Sequence, residues 1–300
     1  MPKYKIAVQM FGHLRTFNKC SSSLRKRLLR HYDCDIFIHS WDELDHKSQT
    51  WHNYQTDDKK ILKEDLIERV YENYPIKDIE IEKQNCEELG IFNGITSKHS
   101  ISGIKSMYHS MTRVNKLREN YQEKNKIKYD FVLMIRPDIL LKEDFNIDEL
   151  LGGIDKEDIA KSVFSGWSRP GRFKNDLKIV GGTDLIFFAK EATMSVVLNN
   201  CLDIVKELKK RRNEGEFVPE FLFSEDIRDK GYNFYYINYH FDKEFIILRR
   251  HMTSLKKRKI VDASLTKKYL KISFLNFLPR LFTLKLNLYI YKFEITIGSF

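Results

Sequence analysis

The sequence predicts an α/β fold, a mostly parallel sheet flanked by helices and followed by a basic, amphipathic C-terminal extension. Three observations carry that prediction. The stretch from Tyr129 to Leu141, YDFVLMIRPDILL, contains an uninterrupted apolar run that suits a strand covered on both faces, and the run stops on Arg136, Pro137 and Asp138. Strand-like runs alternate with helical patterns through residue 141, which implies parallel strands joined by right-handed crossovers. Charge is unevenly spread: residues 249–300 hold twelve of the 52 Lys and Arg but only two of the 42 Asp and Glu, so residues 1–248 carry 40 of each sign. The expected organisation is therefore one domain over residues 1–248 and an extension over 249–300.

Lys5 to Met10 reads as a first strand, and Phe11, Gly12 and His13 follow it as the turn into a helix. In SSSLRKRLLRHY, Leu24, Leu28 and Leu29 recur at helical spacing, with the serines placed to cap the start. Asp35 to His39 forms the second strand and leads into Ser40, Trp41 and Asp42. Between residues 43 and 100 the pattern is mixed. Leu62 to Tyr71 has helical periodicity, and Ile76 to Glu82 alternates as an exposed strand does.

Ile101 to Glu123 is a helix capped by Ser100 or Ser102, with Ile104, Met107, Tyr108, Met111, Val114, Asn115 and Arg118 along one side. It feeds the strand from Phe131 to Arg136. Pro137 halts ladder pairing there, and Asp138 is expected to face the crevice in which open α/β sheets bind ligands. The turn-rich loop SVFSGWSRPGRFKND, with Trp167, Arg169 and Arg172, is expected to serve specificity. Gly181 and Gly182 permit close backbone approach ahead of Asp184 and a second buried strand, Leu185 to Ala189. Residues 191–212 form an amphipathic helix, Ser224, Glu225 and Asp226 lead a short one, and Phe234 to Ile237 supplies a further strand.

Composition narrows the function classes. Cys20, Cys34, Cys86 and Cys201 form no CxxC pair, so neither a zinc site of that kind nor a disulfide framework is expected, and the thiols read as inert in a reducing cytoplasm. The N-terminus lacks a secretory pattern, and no run of eighteen apolar residues predicts a spanning helix. Residues 272–291, ISFLNFLPRLFTLKLNLYIY, mix apolar and aromatic residues with Arg280 and Lys285. Such a segment suits either the headgroup plane of an anionic membrane or a terminal element packed on the body. The expected location is cytoplasmic, peripheral at the inner face of the membrane. GxSxG, HExxH and P-loop patterns are absent, which moves hydrolases and kinases down the ranking.

FGHLRTF with IHSWD, then YDFVLMIRPD, then GGTDLIFFAK followed by SED, in that order over residues 4–240, resemble the bacterial GT-A-fold glycosyltransferases of capsule and lipopolysaccharide biosynthesis. The resemblance implies a Rossmann-type sheet and a nucleotide-sugar donor. It also implies a glycan or lipid-linked acceptor and a divalent metal, Mn or Mg. In such enzymes an Asp-x-Asp signature holds the metal on the donor diphosphate; here the place reads Arg136, Pro137, Asp138, one acid where two are usual. Asp138 is then the implied metal ligand, with Arg136 neutralising phosphate. The other reading of the same residues is a turn with Arg136 in a structural salt bridge. Asp138 turned away from any cleft, or locked into an interior ion pair, is the observation that counts most heavily against the whole enzymatic account.

The resemblance places Gly12, His13 and Arg15 against the nucleotide, and Asp184 against the donor sugar or acceptor. His39 and Asp42 are candidates for the ribose or uracil edge, His39 with the alternative of a satisfied structural histidine. Glu225 and Asp226 are candidate general bases for an inverting transfer, or simply acids at a helix start. Two other classes remain: a noncatalytic nucleotide-sugar-binding scaffold, and a nucleic-acid-binding protein that uses the basic tail. The neutral body argues against nucleic acid as a partner.

Overall fold

The computed structural model describes residues 3–44, 64–84, 89, 91–93, 98–167, 171–173, 176–178, 182–199, 219–241 and 243–248. In chain order the strands are β1 (Lys5–Phe11), β2 (Asp33–Trp41), β3 (Ile76–Glu82), β4 (Ile91–Asn93), β5 (Lys98–Ser100), β6 (Phe131–Ile135), β7 (Ile139–Leu141), β8 (Ser162–Trp167), β9 (Gly171–Phe173), β10 (Asp176–Lys178), β11 (Gly182–Lys190), β12 (Asn233–His240) and β13 (Phe245–Ile247). The helices are α1 (Phe17–Leu24), which continues as a π-helical turn over Arg25–Leu29, α2 (Glu64–Asn73), α3 (Ile101–Asn125), α4 (Ile147–Leu150), α5 (Lys156–Ala160), α6 (Glu191–Asn199) and α7 (Pro219–Asp229).

Residue contacts divide the chain into a body, Met1–Pro170 with Ile179–Leu248, and a second unit, Gly171–Lys178 with Arg249–Phe300. The described part of the second unit is the β9–β10 hairpin. The basic tail, the side chains of Arg169 and Arg172, Gly181, and Cys86 and Cys201 lie outside the described residues or side chains. Among the described residues no helix is long and apolar enough to cross a membrane.

The body is built on a seven-stranded sheet in the order β12-β8-β11-β6-β1-β2-β3. Four of its pairings are parallel, and β11 is antiparallel to both β6 and β8. The reversal at β11 leaves no trace in the sequence, because a strand buried on both faces is apolar in either direction. Alternation sorts each strand onto two faces. Ile6, Val8, Ile36, Ile38, Leu133, Ile135 and Phe188 pack on the side of α1 with Leu14, Phe17 and Phe145. Ala7, Phe37, Val132, Met134 and Phe187 pack on the side of α3 and α7 with Tyr108, Met111, Val114 and Leu222.

Two helix starts differ from expectation. Helix α1 begins at Phe17, so Ser21 and Ser23 lie inside it, where their hydroxyls donate to the carbonyls of Asn18 and Cys20. Helix α7 begins at Pro219, whose missing N–H costs nothing in a first turn, so Ser224, Glu225 and Asp226 sit mid-helix rather than at its start. Helix α3 follows expectation: Ser100 caps it by accepting from the Gly103 N–H, and Arg118 lies fully buried on its inner side.

Candidate functional site at the carboxyl ends of the sheet

Strand order reverses at β1. Strands β2 and β3 extend the sheet to one side, and α3 then carries the chain across so that β6 pairs on the other side of β1. In an open α/β sheet the crevice outside the carboxyl ends of such strands is the expected ligand site. The residues leaving β1 are Gly12, His13 and Arg15, and those leaving β6 are Arg136, Pro137 and Asp138. Topology therefore brings together what the sequence separates by more than a hundred positions.

Gly12 has φ +87°, and a Cβ there would meet nothing within 4 Å, so the turn is open to an approaching group. Arg15 also has positive φ, +44°, an uncommon backbone for a side-chain-bearing residue and a local strain. Its guanidinium Nη1 donates to Asp138 Oδ2 at 3.2 Å. Arg136 grips the same carboxylate with both arms, Nε to Oδ1 at 3.0 Å and Nη2 to Oδ2 at 2.6 Å. Asp138 is fully buried, while the two arginine side chains are 12% and 13% exposed.

Asp138 is thus locked in an interior ion pair, the arrangement expected to count against the enzymatic account and, first of all, against a metal there. Both oxygens already accept from guanidinium groups, and a cation placed there would meet two positive charges. The donor set at Asp138 does not fit a divalent metal. The turn closes with Ile139 N–H on the Arg136 carbonyl, and the Asp138 carbonyl accepts from Leu248 N–H. Burial first, and the Asp138 charge second, push the nearby Cys20 thiol up to about 12, so it is inert; Cys34 is held at about 12 by burial and by Asp33 and Asp35.

Other predicted residues gather around the same edge. His13 Nε2 is 2.9 Å from Gln84 Oε1, and Asp42 Oδ1 accepts from the Gln84 N–H. Asp184 is half-buried in the irregular stretch of β11 between Gly182 and Phe187, and its neighbour Leu185 accepts from the Arg136 N–H. Bulges of this kind re-aim side chains beside sites. The α7 pair separates: Asp226 is buried against Lys230 at 2.6 Å, whose ammonium also reaches the Val197 carbonyl, whereas Glu225 is half-buried. An acid held by a lysine is poorly placed to take a proton.

A second polar cluster, of which the sequence reading contained only His39, lies where β2 and β3 meet α3. His39, on β2, is fully buried; its Nδ1 lies 2.8 Å from the Ser110 hydroxyl, which also accepts from Gly12 N–H. Its Nε2 has no hydrogen-bond partner among the described residues and stands 3.7 Å from Glu82 Oε2. Glu82 Oε2 is 2.8 Å from His109 Nε2, and Glu82 Oε1 is 2.9 Å from Arg113 Nε. Trp41 stacks on the His109 ring and meets the His39 ring edge-on.

Burial holds the His39 imidazole down to about 4, against the pull of Glu82 and with help from His109 and Arg113, so it is neutral at neutral pH. Burial raises the Glu82 carboxyl, but the His109 hydrogen bond and the Arg113 guanidinium outweigh it, and the group sits below its usual value. Glu82 was missed, although its place at the end of β3 is the same polar strand-end signal that marked Asp42 and Asp138. His109 carried no such signal, because only the rotation of α3 against the sheet decides which of its polar residues face a strand.

A surface hollow lined by Lys5, Tyr32, Asp33, Cys34 and Asp130 opens at the amino ends of β1 and β2. It gathers none of the predicted residues, and strand-end logic places ligands at the other end. No family model matches this chain, and no curated protein matches it in sequence.

Proposed function

We propose that the protein binds a nucleoside-diphosphate sugar at the β1/β6 reversal and transfers the sugar to a glycan or lipid-linked acceptor. The observation that carries this reading is the convergence of Gly12, Arg15, Arg136 and Asp138 at that reversal. Guanidinium groups pair with phosphate oxygens, and Asp138 orients two of them side by side. In this reading they supply the positive charge that a metal supplies in related chemistry, and no step runs through a cation at Asp138.

Gly12 leaves room for the nucleotide, with His13 and Asp42 at its rim. Asp184 accepts hydrogen bonds from sugar hydroxyls, and Glu225 is the remaining α7 candidate for removing the acceptor proton. The charge of residues 249–300 supports an anionic membrane surface as the place where a lipid-linked acceptor is met.

Two observations favour a second reading, a scaffold that binds the nucleotide sugar without transferring it: Asp138 is engaged by arginines, and Asp226 by Lys230. One experiment separates the readings. UDP- and GDP-linked sugars are screened by thermal shift with and without Mn2+, and the stabilising donor is then assayed for hydrolysis and transfer. We expect one donor to raise Tm without metal, Arg15→Gln to weaken it at least about tenfold, and the donor to turn over. Binding without turnover selects the scaffold. Stabilisation only with Mn2+ returns Asp138 to the metal, and no stabilising donor at all removes both readings.

A further inference from the structure

We infer that His39, Glu82 and His109 form a binding site for one zinc-class divalent metal ion, independent of whether the protein transfers sugar. The three candidate donor atoms, two imidazole nitrogens and a carboxylate oxygen, lie within 4.8 Å of one another. Zinc bonds of about 2.0–2.2 Å at tetrahedral angles put donor atoms about 3.3–3.6 Å apart. The 3.7 Å between His39 Nε2 and Glu82 Oε2 already matches, and the 2.8 Å between His109 Nε2 and Glu82 Oε2 needs to open by about half an ångström. His109 is 47% exposed in its side chain, so that adjustment is within the reach of a surface rotamer.

The independent pointer to a ligand is His39 Nε2. Among the described residues this fully buried atom has no hydrogen-bond partner, which is rare in a folded protein and calls for an explanation. The Ser110 hydroxyl accepts from Gly12 N–H and lies 3.4 Å from the His39 carbonyl, to which it donates. In the Nδ1–H tautomer, the one that a metal on Nε2 requires, the Ser110 oxygen accepts at 2.8 Å and the Nε2 lone pair faces Glu82. A metal-binding histidine is normally held in this way through its other nitrogen.

Glu82 is held in a comparable manner. Arg113 takes Oε1 and leaves Oε2 for the metal, while Glu80 pairs with the same guanidinium and offsets its charge. Trp41 covers both imidazoles, and the partly exposed His109 and Glu82 leave a position open on the solvent side. Two imidazole nitrogens and one carboxylate select zinc and its borderline neighbours over Mg2+ or Ca2+, which prefer all-oxygen shells.

The test uses the untagged, chelator-stripped full chain titrated with Co2+ and, by calorimetry, with Zn2+. We expect saturable binding of one ion, a visible d–d band for Co2+, and a loss of at least about tenfold in affinity for Glu82→Gln and for His109→Ala. Both residues are partly exposed, so these variants keep the fold where a His39 variant, buried at the core, could lose it. His31→Ala, a histidine beside Asp144, serves as the control and should bind as the parent does. No saturable binding, or affinity unchanged in both Glu82→Gln and His109→Ala, overturns the inference.

Discussion

The Arg15–Asp138–Arg136 cluster and the His39–Glu82–His109 cluster border the same carboxyl edge of one sheet, yet they are opposite in one respect. In the first, both oxygens of the buried carboxylate accept hydrogen bonds. In the second, a buried nitrogen has no hydrogen-bond partner among the described residues. A strand-end motif thus marks where polar groups converge, while their hydrogen bonds tell which atoms the protein itself already engages.

The sharpest way to break this comparison is to remove the carboxylate of the first cluster. Asp138→Ala strands two guanidiniums that are nearly buried, and unfolding in urea is expected to show a loss of ~3–5 kcal/mol. A loss below ~1 kcal/mol would mean that the arginines find other partners and that the cluster is not a structural lock. Next in size is Ser110→Ala, which takes a partner from both Gly12 N–H and His39 Nδ1. Denaturant midpoints should report a cost of ~1–3 kcal/mol, and a neutral result would say that this hydroxyl organises neither group.

Gly12→Ala should cost ~1–2 kcal/mol in the same assay, from the backbone conformation alone, since the new methyl meets nothing within 4 Å. The smallest effect is expected at the second cluster. In chelator, His109→Ala should change stability by less than ~0.5 kcal/mol, because its bond to Glu82 lies at the exposed rim. A loss several times larger would place His109 among the structural contacts and blur the distinction drawn here.

Much of the fold was legible because its signals are local. The unbroken apolar run before Arg136 required two covered faces, and β6 is buried at all five positions. The spacing of Ile104, Met111, Val114 and Arg118 located the inner side of α3. Segment ends were less legible: the serines of α1 and the Ser224–Asp226 trio read as helix starts by composition, but Phe17 and Pro219 begin those helices. Within the site, strand ends singled out Gly12, Arg15, Arg136 and Asp138 one by one, and the pairing of β1 with β6 makes them neighbours. Their chemistry did not follow, because the spacing of Arg136 and Asp138 is equally compatible with a metal ligand beside a phosphate clamp and with a closed salt bridge. Only the third partner, Arg15, contributed from a distant strand, decides between them. His109 escaped notice for the corresponding reason, since its partners come from β2 and β3.

One serine has a consequence that reaches both edges of this comparison. The Ser110 oxygen touches the Gly12 amide and the His39 ring at once, which gives the two positions one shared partner. Thermodynamic reciprocity then applies: whatever factor an anion seated on the glycine turn imposes on cation affinity at the histidine, the cation must return to the anion. Communication between the two would need no hinge and no subunit, only the reorientation of one O–H bond.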